Sequence, residues 1–279
     1  MTLSPGFHRD ISQSRYLKID ALGSTQLEWL YVSPLNYRYL KSQPPEESEP
    51  MSLGDALHAA ILEPRRFARE FVLEPDPAEV APGNVKPRAT KAYRDAVAEI
   101  EAAGVAVLRL DAWASIQLMK TAIESHPLAA KALERAPERE LAMLWDRDGR
   151  PCRGRLDAAG DRLVIDLKTT RSLRDFSPFA VTKYGYHRQA AWYVDGAHRL
   201  GRDVEHYLAI AVENSAPYDV GVFTFDAGLL SYGHDDCEEL VAKLAKCERS
   251  NVWPGQFPEI QQAMLTEREV AAHADEEAA

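Results

Sequence analysis

Apolar and polar positions follow helical spacing through the first half of the chain and then switch to alternation, and that switch organises the fold. Residues 24–40 fit a helix interrupted at Ser33-Pro34, where Ser33 can cap a second helix and Pro34 suits its first turn. Residues 41–50 (KSQPPEESEP) form a polar Pro/Glu/Ser linker. Ser52-Leu-Gly-Asp55 opens a small-residue, apolar helix over 56–62 that ends near Pro64. The stretch 74–90 holds four prolines and reads as a mobile surface loop. An amphipathic helix covers 91–103 and stops at Gly104, and 105–110 alternates like a short strand. Asp111 is placed to cap a helix running through Glu124, and a short helix covers 127–135.

Period two then takes over. Residues 140–145, 151–157 and 162–168 predict three strands, separated by the turn signals Asp148-Gly149 and Ala159-Gly160-Asp161. A helix over 186–200, strands over 204–212 and 220–225, and a helix over 235–249 follow. The final ADEEAA is an acidic tail expected to be disordered. No internal repeat is visible. The expectation is an α/β fold, a mixed central sheet with the meander at its centre, flanked by helices and carrying helical N-terminal decoration. It divides into an N-terminal segment 1–23, one domain over 24–262 and a tail over 263–279.

Composition changes this picture in three ways. Of 279 residues, 46% are apolar, enough for a substantial core, and no apolar run reaches the length of a membrane span. Met1 to Asp10 lacks the apolar stretch of a secretory leader, so a soluble cytoplasmic protein without membrane contact is expected. Three cysteines, Cys152, Cys237 and Cys247, with no CxxC pair, exclude a disulfide framework and four-cysteine zinc or iron–sulfur sites within one chain. The net charge of -10 gives no bulk attraction to nucleic acid, yet residues 147–188 carry ten Lys/Arg against five Asp/Glu. That segment is +5 and the rest of the chain -15. Either the arginines decorate exposed strand edges, or they form a local basic surface where a polyanion comes close.

Register reasoning locates the candidate chemistry. A two-residue turn at Asp148-Gly149 pairs Arg147 with Arg150 and sets Glu140 opposite Asp157. A loop of two or four residues in the next hairpin puts Asp157 and Asp166 on one face, and Lys168 shares it two residues on. An Asp and a Lys inside the apolar run RLVIDLK are costly to desolvate unless they pair or hold a cation. An internal Asp–Lys salt bridge is one outcome. A divalent-metal site is the other, because carboxylates suit Mg²⁺ or Mn²⁺ and a neighbouring ammonium can orient a nucleophile.

The pattern Asp157 … Asp166-Leu167-Lys168 matches the PD-(D/E)xK motif of a large nuclease superfamily. Its setting is more specific. Cys152-Arg-Gly-Arg-Leu-Asp157, Ile165-Asp-Leu-Lys-Thr-Thr170 and Tyr186-His-Arg-Gln-Ala-Ala-Trp-Tyr-Val-Asp-Gly196 resemble the RecE-type exodeoxyribonuclease VIII family. Leu53-Gly-Asp-Ala-Leu-His58 with Leu62-Glu-Pro64, and Trp253-Pro254, fit in the same order, so the resemblance runs from about Ser24 to Ile260.

The resemblance implies a Mg²⁺-dependent exodeoxyribonuclease, with Mn²⁺ as substitute, using one or two ions and no iron–sulfur cluster. Asp157, Asp166, Glu140, His58 and the Leu167 carbonyl are the implied metal ligands, and Lys168 the residue that positions the attacking water. Without the motif, His58 would read as a core histidine. Gln189 and Tyr193, one turn apart, match a Q-x-x-x-Y motif that braces the lysine and meets DNA, whereas Tyr186 and Trp192 read as packing residues. Further DNA contacts are expected from Arg153, Arg155, Arg171, Arg174 and Lys183. The implied substrate is linear duplex DNA degraded from 5′ to 3′ in phage-type recombination or repair, by a homo-oligomeric ring handing single strands to an annealing protein. Two alternatives stand beside it: a non-catalytic DNA-binding scaffold of the same fold, and an endonuclease or single-strand nuclease of the superfamily.

Overall fold

The computed structural model describes residues 4–9, 11–43, 53–174 and 178–261. The chain opens with β1 (Gly6–His8), α1 (Gln13–Leu17), α2 (Ser24–Val32) and α3 (Pro34–Ser42). After the undescribed linker come α4 (Leu53–Leu62), α5 (Pro64–Glu70), β2 (Phe71–Leu73), α6 (Pro77–Val80), a 3-10 turn at Pro87–Ala89, α7 (Lys91–Ala102) and β3 (Ala106–Leu108). Next are α8 (Leu110–Ser125), α9 (Pro127–Arg135) and the meander of β4 (Glu138–Arg147), β5 (Arg150–Ala159) and β6 (Leu163–Thr170). The chain then runs through α10 (Pro178–Lys183), α11 (Tyr186–Arg199), β7 (His206–Glu213), β8 (Val220–Thr224) and α12 (Ala227–Ser250).

The principal sheet has the order β1-β4-β5-β6-β7-β8. Only β6 and β7 run parallel, joined by a crossover through α11, and every other neighbour is antiparallel. The Asp148-Gly149 signal becomes the two-residue turn, both residues at positive φ, and Arg147 pairs with Arg150. Ser33 caps α3 through its Oγ, 3.0 Å from the Asn36 N–H, with Pro34 in the first turn.

Two apolar layers sandwich the sheet. On one face Leu141, Met143, Trp145, Val164 and Ala209 meet α2, α11 and α12 through Leu27, Trp192 and Leu244. On the other, Ile165, Leu167 and Ile210 meet α4, α8 and α9 through Leu57, Ile116, Met119 and Leu133. The alternation of Val164, Ile165 and Leu167 between layers is the period-two pattern made physical. Among the described residues no helix is long and apolar enough to cross a membrane.

Four features depart from the sequence reading. The N-terminal segment does not stand apart, since β1 pairs with β4 (Phe7 against Met143) and extends the same sheet. Three residues are too few to show a period. The proline-rich stretch after Glu74 is pinned rather than loose. The buried Glu74 carboxylate accepts from Arg88 at 2.8 and 2.5 Å, from the Tyr93 hydroxyl and from the Leu110 N–H at 2.9 Å. That last bond also corrects the cap of α8, where the acceptor is Glu74, 36 residues upstream, while Asp111 sits in the first turn. Finally, α12 begins eight residues before Asp235, capped by Asp226 Oδ1 on the Leu229 N–H at 2.8 Å. Gly228 and Gly233 hide its start in the sequence. Gly233 is there for packing, because a Cβ on it would lie 2.2 Å from the His187 carbonyl oxygen of α11. Most of the 41–50 linker and the 263–279 tail lie outside the described residues.

Candidate active site

The predicted register holds on both sides of the site. Leu141 pairs with Leu156 and Arg139 with Ala158, so Glu140 and Asp157 fall opposite each other. The regular pleat stops at that step. Glu140 has φ 48°, a left-handed conformation that costs a residue with a side chain on the order of 1–2 kcal/mol. Leu156 packs in the α11 layer, yet Ala158, two residues on, packs in the α4 layer. On the other flank β5 and β6 pair only at Ala158–Ile165 and Ala159–Val164 before separating. Asp157 fills the gap, its Oδ2 accepting the Leu167 N–H at 2.7 Å in place of a strand carbonyl. The Leu167 carbonyl oxygen lies 2.8 Å from His58 Nε2, which reaches in from α4.

This break gathers three side chains. One ligand atom each from His58, Glu140 and Asp157 lies within 4.8 Å of the others, with His58 Nδ1 3.7 Å from Asp157 Oδ2. Burial, and then the facing charge of Asp157, push the Glu140 carboxyl up to about 7, against the pull of Arg155 and His58. Arg155 lies 2.6 Å from Glu140 Oε2 and is itself steadied by Gln13 Oε1 at 2.6 Å and by the Tyr16 ring. Ligands about 2.1 Å from one Mg²⁺ are at most about 4.2 Å apart, so closing by a few tenths of an ångström lets one ion touch all three. Two half-buried, mutually repelling carboxylates, an imidazole and the adjacent Leu167 carbonyl fit a hard divalent cation.

Asp166 stands outside that trio. Its Oδ2 is 2.7 Å from Lys168 Nζ, and Lys168 donates to Gln189 Oε1 at 2.9 Å. Gln189 Nε2 in turn donates to the Tyr193 hydroxyl at 3.2 Å, and the Tyr186 ring centroid lies 5.0 Å from the ammonium. Burial works to lower Lys168, but Asp166 and then Asp157 outweigh it and hold the ammonium above its ordinary value. The sequence put four charged residues on one face of the sheet. Instead, the broken pleat delivers Glu140 and Asp157 to His58 on α4, while Asp166 and Lys168 keep company with α11. The two groups meet through the opening between β5 and β6.

Other sequence-predicted residues divide sharply. Arg153 Nη1 donates to the carbonyls of Tyr16, Leu17 and Ile19 at 2.6–3.1 Å, and Arg155 is engaged by Glu140 and Gln13, so both guanidiniums work inside the protein. The +5 segment is therefore no continuous basic surface. Arg147 pairs with Glu238, Arg150 with Glu248, Arg162 with Asp203 and Glu205, and Arg188 with Glu28 and Asp236. These acids come from elsewhere in the chain, where a segment count cannot see them. Arg171, Arg174 and Lys183 are exposed, and no ion pair engages them among the described residues. Tyr186 packs against the α11 layer as read and also belongs to the lysine's surroundings, a second role whose available signal was its position three before Gln189 on one helix face.

A family model described as a PDDEXK-like domain of unknown function (DUF3799) matches residues 33–264. No curated protein matches the chain. A crystal structure from Eubacterium rectale, of a protein provisionally assigned as an exonuclease, superposes with TM-score 0.58 at 12% identity, over 95% of this chain and 99% of that one. An alkaline exonuclease from Laribacter hongkongensis aligns over 70% of this chain and 95% of its own at 16% identity, but its TM-score of 0.29 is too low to carry an argument. The first of these similarities is one of fold.

Proposed function

Given that the chain belongs to the PDDEXK-like family of unknown function (DUF3799), we propose that it is a divalent-metal-dependent deoxyribonuclease, and specifically a 5′ to 3′ exonuclease on linear duplex DNA of the RecE type. The observation that supports this most directly is the junction of two groups through one gap in the sheet. A metal-suited trio, His58, Glu140 and Asp157, stands beside a half-buried ammonium, Lys168, braced on two sides. An internal salt bridge would account for Asp166 and Lys168 alone. It does not account for a strained Glu140, an unpaired strand step and an imidazole brought in from another layer.

In this reading Glu140, Asp157, His58 and the Leu167 carbonyl hold Mg²⁺ or Mn²⁺, with Asp166 adjoining. When bound, the ion supplies Lewis-acid stabilisation of phosphoryl oxygens and lowers the pKa of water. Lys168, kept cationic, has two of its three N–H groups on Asp166 and Gln189, and these two bonds aim the third at the attacking water. The phosphodiester is hydrolysed without a covalent intermediate. Exposed Arg171, Arg174 and Lys183 take flanking phosphates. A ring-like homo-oligomer and a single-strand annealing partner complete the reading by resemblance.

The deciding experiment incubates purified protein with end-labelled linear duplex and with a covalently closed circle, in Mg²⁺ and in EDTA. The expected result is loss of the linear DNA from its ends in Mg²⁺ only, with the circle intact. Nicking of the circle would identify an endonuclease. Binding without metal-dependent cleavage would identify a scaffold.

A further inference from the structure

A file of two rings with a cation at each end leads outward from Lys168. Its Nζ lies 5.0 Å from the Tyr186 centroid, Tyr186 and Tyr184 are 5.8 Å apart at an interplanar angle of 36°, and Lys183 Nζ lies 5.2 Å from the Tyr184 centroid. The file starts in the buried site and ends at the surface, where Tyr184 is 55% exposed. Its backbone is firmly set. The next residue, Gly185, is left-handed at φ 71°, and a Cβ there would lie 2.5 Å from Glu28 Oε1. Glu28 is clamped in turn by Arg188 through two bonds of 2.8 and 2.7 Å. A rigidly mounted, open aromatic ring with a cation on one side has nothing to do for the core. It has the form of a stacking surface for a flat, electron-poor ligand attached to phosphates.

We infer that Tyr184 is a platform for an unpaired nucleobase of the strand whose phosphate lies at Lys168, so the site takes a single-stranded end rather than an intact base pair. This rests on the DNA reading above and sharpens its substrate. Stacking suits such a role because every base has a π face, so the platform grips without regard to sequence. Tyr186, nearer the ammonium, lines the route between platform and site.

The test compares a short oligothymidylate with an abasic oligonucleotide of equal length, which has the same charge and no bases. Affinities are measured by fluorescence anisotropy with Ca²⁺ present, for wild type, Tyr184→Ala, Tyr184→Phe and Tyr184→Trp. Tyr184→Ala is expected to weaken oligothymidylate binding about 5- to 150-fold, the range seen when one stacking ring is removed, and to leave abasic binding unchanged. Tyr184→Phe and Tyr184→Trp should bind like wild type. Equal losses on both oligonucleotides, or no loss on either, would overturn the platform while leaving the nuclease reading standing. Wild-type protein that binds a linear duplex but neither oligonucleotide would overturn the platform alone, and protein that binds none of the three would overturn the DNA reading with it. Because Tyr184 is a surface residue, each variant should keep the wild-type thermal transition, checked in the same samples.

Discussion

At the scale of single residues, the site sets the protonation of its side chains through the charges that face them. Lys168 remains an ammonium in a half-buried place because Asp166 and Asp157 face it. Lys168→Ala should therefore abolish cleavage, by at least about 100-fold in kcat, while circular dichroism stays that of the folded protein. Glu140 is the reverse case. Its carboxyl is raised from an ordinary 4.5 to about 7, so folding favours its protonated form. The metal-free protein should then lose stability as pH climbs from 4.5 through 7, with no further loss above that window. Glu140→Gln should flatten this slope, and Mn²⁺ added above pH 7 should raise the wild-type Tm but not that of the variant. A difference between wild type and variant that ignores pH would refute the assignment, with thermal melts from pH 4 to pH 8 as the measurement.

At the scale of elements, remote side chains finish what local sequence leaves open. Glu74 both pins the proline-rich stretch and caps α8, and its carboxyl is held down to about 2, chiefly by Arg88. A depressed carboxyl contributes stability above its ordinary value of 4.5 and loses it as pH falls from there toward 2. Glu74→Gln should remove that acid dependence, lower stability by about 2 kcal/mol and speed hydrogen exchange between residues 74 and 110. Gly233 tests the other layer. Adding a methyl group 2.2 Å from the His187 carbonyl oxygen forces α12 off α11, so Gly233→Ala should cost about 1–3 kcal/mol in denaturant melts. Since α11 carries Gln189 and Tyr186, activity should fall with it, more in kcat than in KM.

For the whole molecule, the proposed nuclease reading makes the distribution of free charge the feature that would guide DNA. Most arginines of the basic segment are answered by acids across the fold, and the exposed remainder is Arg171, Arg174 and Lys183. Neutralising all three should weaken DNA binding and lower the magnitude of the log–log salt slope by up to about 3, leaving Mn²⁺ affinity unchanged. A slope that does not change would place the DNA path elsewhere on the surface. This also shows where reading a sequence reaches its limit. The count of ten basic residues was right, but Glu28, Asp236, Glu238 and Glu248, which neutralise several of them, lie outside the counted segment.

What the sequence determined by itself was whatever has a local cause. Alternation fixed the strands, Asp148-Gly149 fixed their register, Ser33-Pro34 fixed a helix start, and the spacing Asp157 … Asp166-Leu167-Lys168 marked the strands on which the candidate site is built. Only the tertiary structure decided how those charges divide. A pattern argument assumes an unbroken pleat, and Glu140 leaves it at a place set by Arg155 and His58, which draw its carboxylate, and by Asp157, which repels it. Those side chains lie 15, 82 and 17 residues away in sequence, and their meeting depends on two layers closing on one gap in the sheet.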